Sequence, residues 1–577
     1  MKELKILIAA AFAVSLALAG CGASPSNNSN GDADAENETD SQESPYPKCG
    51  TGEYSKKYLI PGPKEAGWDE ELAKKVRKHD RVFSIFNASA MSANTEAFVD
   101  LSKPENKQAI KDFIENDDGW DFEKYSGKKV EDVISGWAKT AGLYAGNGMA
   151  ADALRYATLR DQGGDCEEIK VAIKLLTADL DALHIAFAIP GVKGVAARGY
   201  IKKTLPGDAK GIVTTPLKDP NTGKPLPEEK NNGTWRDDNS GLYPDYYWED
   251  SVSRDMMLGW ATATAVIWEA IKDDPAFSKE LKDRLQADAK TMTESLRTVR
   301  ESGYDLEFPD ADGRITFHGY INEHNFEREY FENLNNGFYA IMALGIVAAY
   351  AYAAEDQASN DYLYNQLILE RDLPGIALKR MIEVNMGYVS NFSNYNMAIN
   401  SVWLAARYIK DPSARATVAA AMDSKIYNVS GYGRQPIEMK QSYFDLIYLL
   451  AMTDASAYGE PKSAPDAAIL ANAIETFKLY PEAPLFEEKI ENCDENEIAA
   501  LLCVAVDGKT QIKLLGYLGR NDDLIAEKPI PMDIRPRSNY YWRSNPYVPN
   551  GGGDGSRLLS GVDLRVAYWL GRWTEAK

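Results

Sequence analysis

The chain has 577 residues and a formal net charge of −22, with its Lys and Arg scattered, not clustered, which argues against nucleic acid or an anionic membrane face as partners. Its 32 Tyr and 11 Trp suit a large core or a sugar-stacking cleft, with core the default reading. Length alone suggests three domains, although toroids of stacked hairpins run this long as one.

The first twenty residues read as an export signal: Lys2 and Lys5 precede an apolar run from Ile6 to Leu18 that is short for a bilayer span. The run ends in Leu18-Ala19-Gly20-Cys21, which resembles the lipobox of bacterial lipoproteins. That resemblance implies a diacylglyceryl group on Cys21, cleavage just before it, and a membrane partner through the lipid. Gly22 stands where Asp often retains such proteins at an inner membrane, so the implied location is the outer membrane or cell surface. Residues 22 to 47 hold no basic side chain and almost nothing apolar until Tyr46, so a disordered acidic stalk is expected. The folded domain is placed at 48–577. Four further cysteines, Cys49, Cys166, Cys493 and Cys503, allow two disulfides in three pairings, with the short Cys493–Cys503 loop the easiest to close.

Apolar spacing predicts helices near 69–86, 105–116, 129–161, 166–188, 251–272, 276–302, 333–355, 362–386, 394–410, 413–424, 440–454, 465–478 and 560–573. Gly163-Gly164, Asp274-Pro275 and Asp411-Pro412 supply stops. Irregular or β-rich inserts are expected near 189–250, 303–332 and 479–559, including a β-like piece at Gly211–Thr215. Several helices open with a small or polar group, then aromatics, then an apolar run, as at Asn336-Gly337-Phe338-Tyr339 and Gln441-Ser442-Tyr443-Phe444. Hairpins repeated this way cannot bury their faces singly, so the expected fold is mainly α, an α/α toroid of about six helical hairpins. Such a ring brings Asp255, Asn336, Asn396, Asp445 and Asp563 to one mouth; helix capping is the competing reading for each.

The run Trp248-Glu249-Asp250-Ser251-Val252-Ser253-Arg254-Asp255 through Gly259, with Asp310-Ala311-Asp312-Gly313, Asn336-Gly337, Ala197-Arg198-Gly199 and Ser560-Gly561-Val562-Asp563, resembles exported bacterial α/α-toroid proteins related to six-hairpin glycosidases. The likeness spans about 185 to 573 and implies a fold more than a reaction. Met256 stands where that group often has Gln or Glu.

The segment from Asp245 to Asp255 puts four carboxylates beside Arg254 and the aromatic run Tyr246-Tyr247-Trp248. Glycoside hydrolysis needs two carboxyl groups, and the inverting mechanism spaces them for a water. Asp250 and Asp255, with Glu249 beside them, are the candidate catalytic groups; a cap at Asp250 and an ion pair at Asp255 are the structural alternative. Arg198, Tyr247, Trp248, Arg254, Asn336, Asn396, Asp445, Trp542 and Arg543 are the candidate substrate contacts. His318 and His324 lack the spacing of a zinc-hydrolase pair, and Gly319 between them suggests a surface loop. Asp310, Asp312 and Gly313 form half a calcium loop, so a glycine-enabled turn is favoured and calcium is the lesser alternative. The sequence has neither a Gly-x-Ser-x-Gly elbow nor a P-loop. It therefore reads as an envelope lipoprotein that hydrolyses a polysaccharide, lyase chemistry being the weaker version. A non-catalytic glycan or partner binder and a purely structural envelope protein are the alternatives.

Overall fold

The computed structural model describes residues 48–90, 96–116, 119–226, 233–324, 336–379, 381, 384, 386–429, 434–459 and 461–577. The signal, Cys21 and the stalk lie outside the described residues.

Six helices form the inside of a ring: Gly142–Asp161, Arg254–Ile271, Gly337–Ala354, Phe392–Tyr408, Ser442–Met452 and Val562–Trp573. Each packs on the next, and the sixth closes on the first. Gly337–Ala354 is apolar on every face and all of it is buried, as an inner helix must be. Its composition would also suit a membrane span, but here the helix is core. Outside run Cys166–Ala188, Lys279–Leu296, Gln357–Glu370, Pro412–Tyr427, Ala467–Leu479 and Glu70–Asn87. Their starts are capped as the sequence suggests: Asp165, Ser278, Asp411 and Asp466 accept from backbone N–H groups of the first turn, with Pro412 at the first helical position of its helix. The chain is an α/α toroid.

The inner helices start at one end of the ring. Arg254 Nη1 donates to Tyr339 Oη at 2.5 Å, joining the second start to the third, and Arg543 links Ser393 on the fourth to the Tyr144 ring on the first. At the other end, Arg407 and Trp573 both bond Glu269. The first two helices touch backbone to backbone. A Cβ on Gly146 would lie 2.0 Å from the Gly259 carbonyl oxygen, and one on Gly259 would lie 2.1 Å from that of Gly142. The axis is filled: Tyr443 Oη donates to Asn400 Oδ1 at 2.7 Å and lies 3.1 Å from Asn147 Oδ1, while Asn400 Nδ2 donates to Thr262 Oγ1.

Antiparallel sheets lead into the helix starts. One has the order β2-β1-β13-β9, with β1 at Glu96–Val99, β2 at Ile134–Trp137, β9 at Leu485–Glu491 and β13 at Asn550–Leu559. A second runs β3-β4-β6-β5 over Thr140–Ala141, Gly199–Lys202, Tyr246–Glu249 and Trp235–Asp237. The helix expected over 129–161 therefore begins at Gly142. Gly136 of β2 sits so close to Gly207 that an added Cβ would lie 2.8 Å from its Cα. The helix expected over 362–386 also breaks, giving way to a wide π turn over Tyr362–Glu370 and a short helix at Leu373–Ala377. Gly211–Thr215 forms no strand, although Thr215 N donates to Trp235 O and the Thr214 hydroxyl to Asp237 of β5. Gly319 lies within strand β8 (Ile315–Tyr320), which pairs with β7 (Glu307–Pro309). Both disulfides join as Cys49–Cys166 and Cys493–Cys503; the second staples a small three-stranded sheet that has its own core.

Candidate functional site at the mouth of the ring

A cavity of about 430 Å³ opens beside the start of the first inner helix. One wall comes from Glu96 of β1, Glu487 of β9 and Asp208; Lys139 and Arg543 face into the same space. Tyr144 and Tyr540 line it as a stacked pair, ring centroids 4.0 Å apart. The local folding explains these positions. Lys139 lies between β2 and β3, and its backbone N–H donates to Asp208 Oδ2 at 3.0 Å. Glu96 pairs across the sheet with Leu559 of β13, the strand that runs into the sixth inner helix.

Burial pushes the Glu96 carboxyl above its usual range, with Glu487 and Asp208 adding to the rise, while Arg557 and the Asn539 amide oppose it. Arg557 Nη1 is 3.2 Å from Glu96, and its Nε is 3.6 Å from Glu487. Asp208 is exposed. A half-buried carboxyl whose pKa burial raises, set beside an exposed one, is the contrast of environments that acid/base chemistry uses.

The residues singled out in the sequence fall into two sets. Around the cavity and just behind it lie Arg543, Glu249, Arg198, Asp255 and Arg254. Glu249 is bound by Lys139 Nζ at 2.5 Å, with Arg198 4.0 Å away, and burial raises its carboxyl above the usual range. Arg198 Nη1 donates to Ser253 Oγ at 2.9 Å, and that hydroxyl donates to Asp255. Asp255 is half-buried. His318 of β8 feels Arg254, Asp255 and Arg198, although burial is the main cause of its lowered pKa. Polar contacts thus run from Lys139 through Glu249, Arg198 and Ser253 to Asp255, and the next residue back, Arg254, reaches Tyr339.

The second set is held by the scaffold. Asp250 does not face Asp255: it is buried in an ion pair with Arg236, whose Nη2 is 2.5 Å away, and it accepts from Thr234 N at 2.7 Å. The division arises at Ser251, a non-glycine residue at φ +59° whose N–H donates to Asp310 Oδ2 at 2.9 Å. Trp248 is fully buried, its indole N–H donating to Asp237 O, and Tyr247 lies under Lys203. Asn336 caps the third inner helix. Asp445 turns away from the axis, accepting from Tyr427 Oη and Asn472 Nδ2, each at 2.6 Å. Asn396 and Trp542 are buried; the Trp542 ring rests 5.0 Å from that of Tyr443 and closes the axis. The Asp310–Gly313 turn bonds within itself, and Asp312 pairs with Arg314. Among the described residues no group of three His, Cys, Asp or Glu side chains is placed to hold a metal ion. Glu323, beside His324, is taken by Arg371.

Glu96, Asp208 and Glu487 escaped the sequence reading because they come from three distant segments and carry no motif. The one available signal was Tyr540, next to residues already singled out.

No protein-family model matches the chain, and no curated protein does. Among solved structures it is similar to the cellulase Cel9M of C. cellulolyticum, with TM-score 0.36 and 9% identity over 88% of this chain and 99% of that one. It is also similar to a thermostable endoglucanase from Alicyclobacillus acidocaldarius, with TM-score 0.34 and 10% identity over 87% and 83% of the two chains. A third is endoglucanase CelQ from Clostridium thermocellum complexed with cellotetraose, with TM-score 0.30 and 10% identity over 76% and 63%.

Proposed function

We propose that this chain is a lipid-anchored envelope protein that hydrolyses a polysaccharide at the mouth of its toroid. The observation that carries the reading is the cavity in which a half-buried Glu96 with a raised pKa meets Asp208 and Glu487 beside the stacked rings of Tyr144 and Tyr540. Glu96 serves as general acid and protonates the leaving oxygen; Asp208, exposed on the same wall, serves as the base for a water. The stacked tyrosines supply the apolar part of the wall against sugar C–H groups, and Lys139 and Arg543 donate to hydroxyls. Glu249 and Asp255 are positioning residues, holding Lys139 and the Arg198–Ser253 link.

Release of reducing sugar from a polysaccharide panel by the full chain tests this. Glu96→Gln is expected to lower turnover at least 100-fold with binding retained, because it removes only the proton donor. Equal turnover in wild type and variant defeats the hydrolase reading. The contacts of Arg557 with both Glu96 and Glu487 favour one alternative, a mouth that binds glycan without cleaving it. Binding without product release by wild type selects that alternative.

The anchor rests on the Leu18–Cys21 motif. Cys21→Ser is expected to move the protein from the membrane fraction to the soluble one; unchanged membrane association rules out lipid on that thiol.

A further inference from the structure

Among the described residues, the buried cation Arg434 has no carboxylate partner. It is 1% exposed, and its Nε and Nη2 have no hydrogen-bond partner among them. Its Nη1 reaches only Asn545 Oδ1 at 3.5 Å. The guanidinium lies 3.8 Å from the centre of the Tyr547 ring and 4.6 Å from that of Tyr388. Burial lowers its pKa, and the groups opposing that fall are the Tyr547, Tyr388 and Tyr395 hydroxyls. Other buried arginines have their donors taken: Arg565 holds Asp80 and Asp152, Arg407 holds Glu269, Arg236 holds Asp250, and Arg535 donates to the Ile530 and Met439 carbonyls.

An uncompensated guanidinium out of water costs several kcal/mol, so a site that keeps one is built for an anion that arrives later. The surroundings agree. The Tyr547 hydroxyl, on the ring that lies against the guanidinium, is buried without a partner among the described residues. Arg543, two residues before Asn545, is exposed, lines the mouth cavity and donates only to Ser393 Oγ at 3.1 Å. Tyr388, 40% exposed, covers Arg434 from a short turn, Gly387–Val389. Met386 and Val389 beside it are also exposed, at 52% and 46%, so the cover is an apolar flap with little packed on it.

We propose that the glycan taken at the mouth is anionic, its carboxylate or sulfate group entering past Arg543 and seating on Arg434 once the Tyr388 flap lifts. A planar fork suits either group. This rests on the glycan reading above and adds its charge class.

The full chain is tested by affinity electrophoresis and calorimetry against polygalacturonate, dextran sulfate and neutral hydroxyethylcellulose. Retention by the anionic polymers, weakening with salt and falling at least 10-fold in Arg434→Met and Arg543→Gln, supports the proposal; the stronger polymer identifies carboxylate or sulfate. Arg434→Lys is expected to recover part of the binding. Arg434→Met should melt no lower than wild type, since it removes a buried uncompensated charge, so lost binding is not lost folding. Retention by the neutral polymer alone, or anionic binding indifferent to both variants, overturns the charge assignment and leaves the glycan reading standing. Retention by none of the three defeats both.

Discussion

Asp445 and Asp563 show what burial does to a carboxyl at the start of an inner helix. Each is fully buried and pushed up to about 7, mainly by desolvation and against the pull of its hydrogen bonds to Tyr427 and Asn472 or to Tyr480 and the Tyr541 N–H. Asp310 is raised to about 7 as well, by burial and by nearby Asp250. The folded state therefore binds more protons than the unfolded chain between the ordinary carboxyl value and about 7. Stability from these groups is full at acid pH and is lost as pH rises through that window, by on the order of a few kcal/mol per group. Asp445→Asn keeps an acceptor for Tyr427 and cannot ionise. Its urea midpoint is expected to fall less than that of wild type between pH 4.5 and 8; parallel curves would show that Asp445 does not titrate there. The same residue explains a limit of the sequence reading. A polar group at a helix start is equally suited to face a cavity or an outer helix, and Asp445 takes the second course because Asn472 and Tyr427 supply partners there.

At the scale of elements, the crossing of the first two inner helices is the tightest joint in the ring. Gly146→Ala gains about 1 kcal/mol of helix propensity, but its Cβ would meet the Gly259 carbonyl at 2.0 Å. Backbone cannot yield as a side chain can, so the net effect is a loss of about 2 kcal/mol, read as a lower midpoint in chemical denaturation. A variant as stable as wild type would mean the two helices separate at little cost. Helices of this kind were legible because apolar periodicity and Asp, Ser or Asn caps agree, and Cys166–Ala188 begins and ends where the spacing puts it. The stretch before Gly142 was not, because its apolar residues fit a helical face until strand partners, Glu96–Val99 and Gly207, arrive from far along the chain. The cavity was hidden for the same reason: Glu96 and Glu487 sit on strands, and Asp208 on a turn, that no local pattern brings together.

The whole ring depends on a buried charge cluster joining its first and last parts. Arg565 of the sixth inner helix donates to Asp80 Oδ1 at 2.7 Å and Asp152 Oδ1 at 2.5 Å, and Trp569 donates to Asp80 Oδ2 at 3.0 Å. Removing one partner of such a set strands the others. Arg565→Met is therefore expected to cost about 3–5 kcal/mol, measured by urea denaturation at pH 7; a cost below about 1 kcal/mol would mean that packing alone closes the ring. Of the global architecture, the toroid followed from repeated apolar hairpins, since no single pair can bury both faces. The placement of Arg565 against Asp80 did not, because nothing local to either residue names its partner.

The closing strand and helix, Asn550–Leu559 and Val562–Trp573, seal against β1 and the first inner helix, some four hundred residues earlier. Until they dock, β1 has an open edge and the first inner helix a bare flank, both shaped for that one segment. A second copy carries the identical segment. Two incomplete rings could thus complete each other by exchanging tails, and the tether that makes closure within one chain the faster event is what weighs against that exchange.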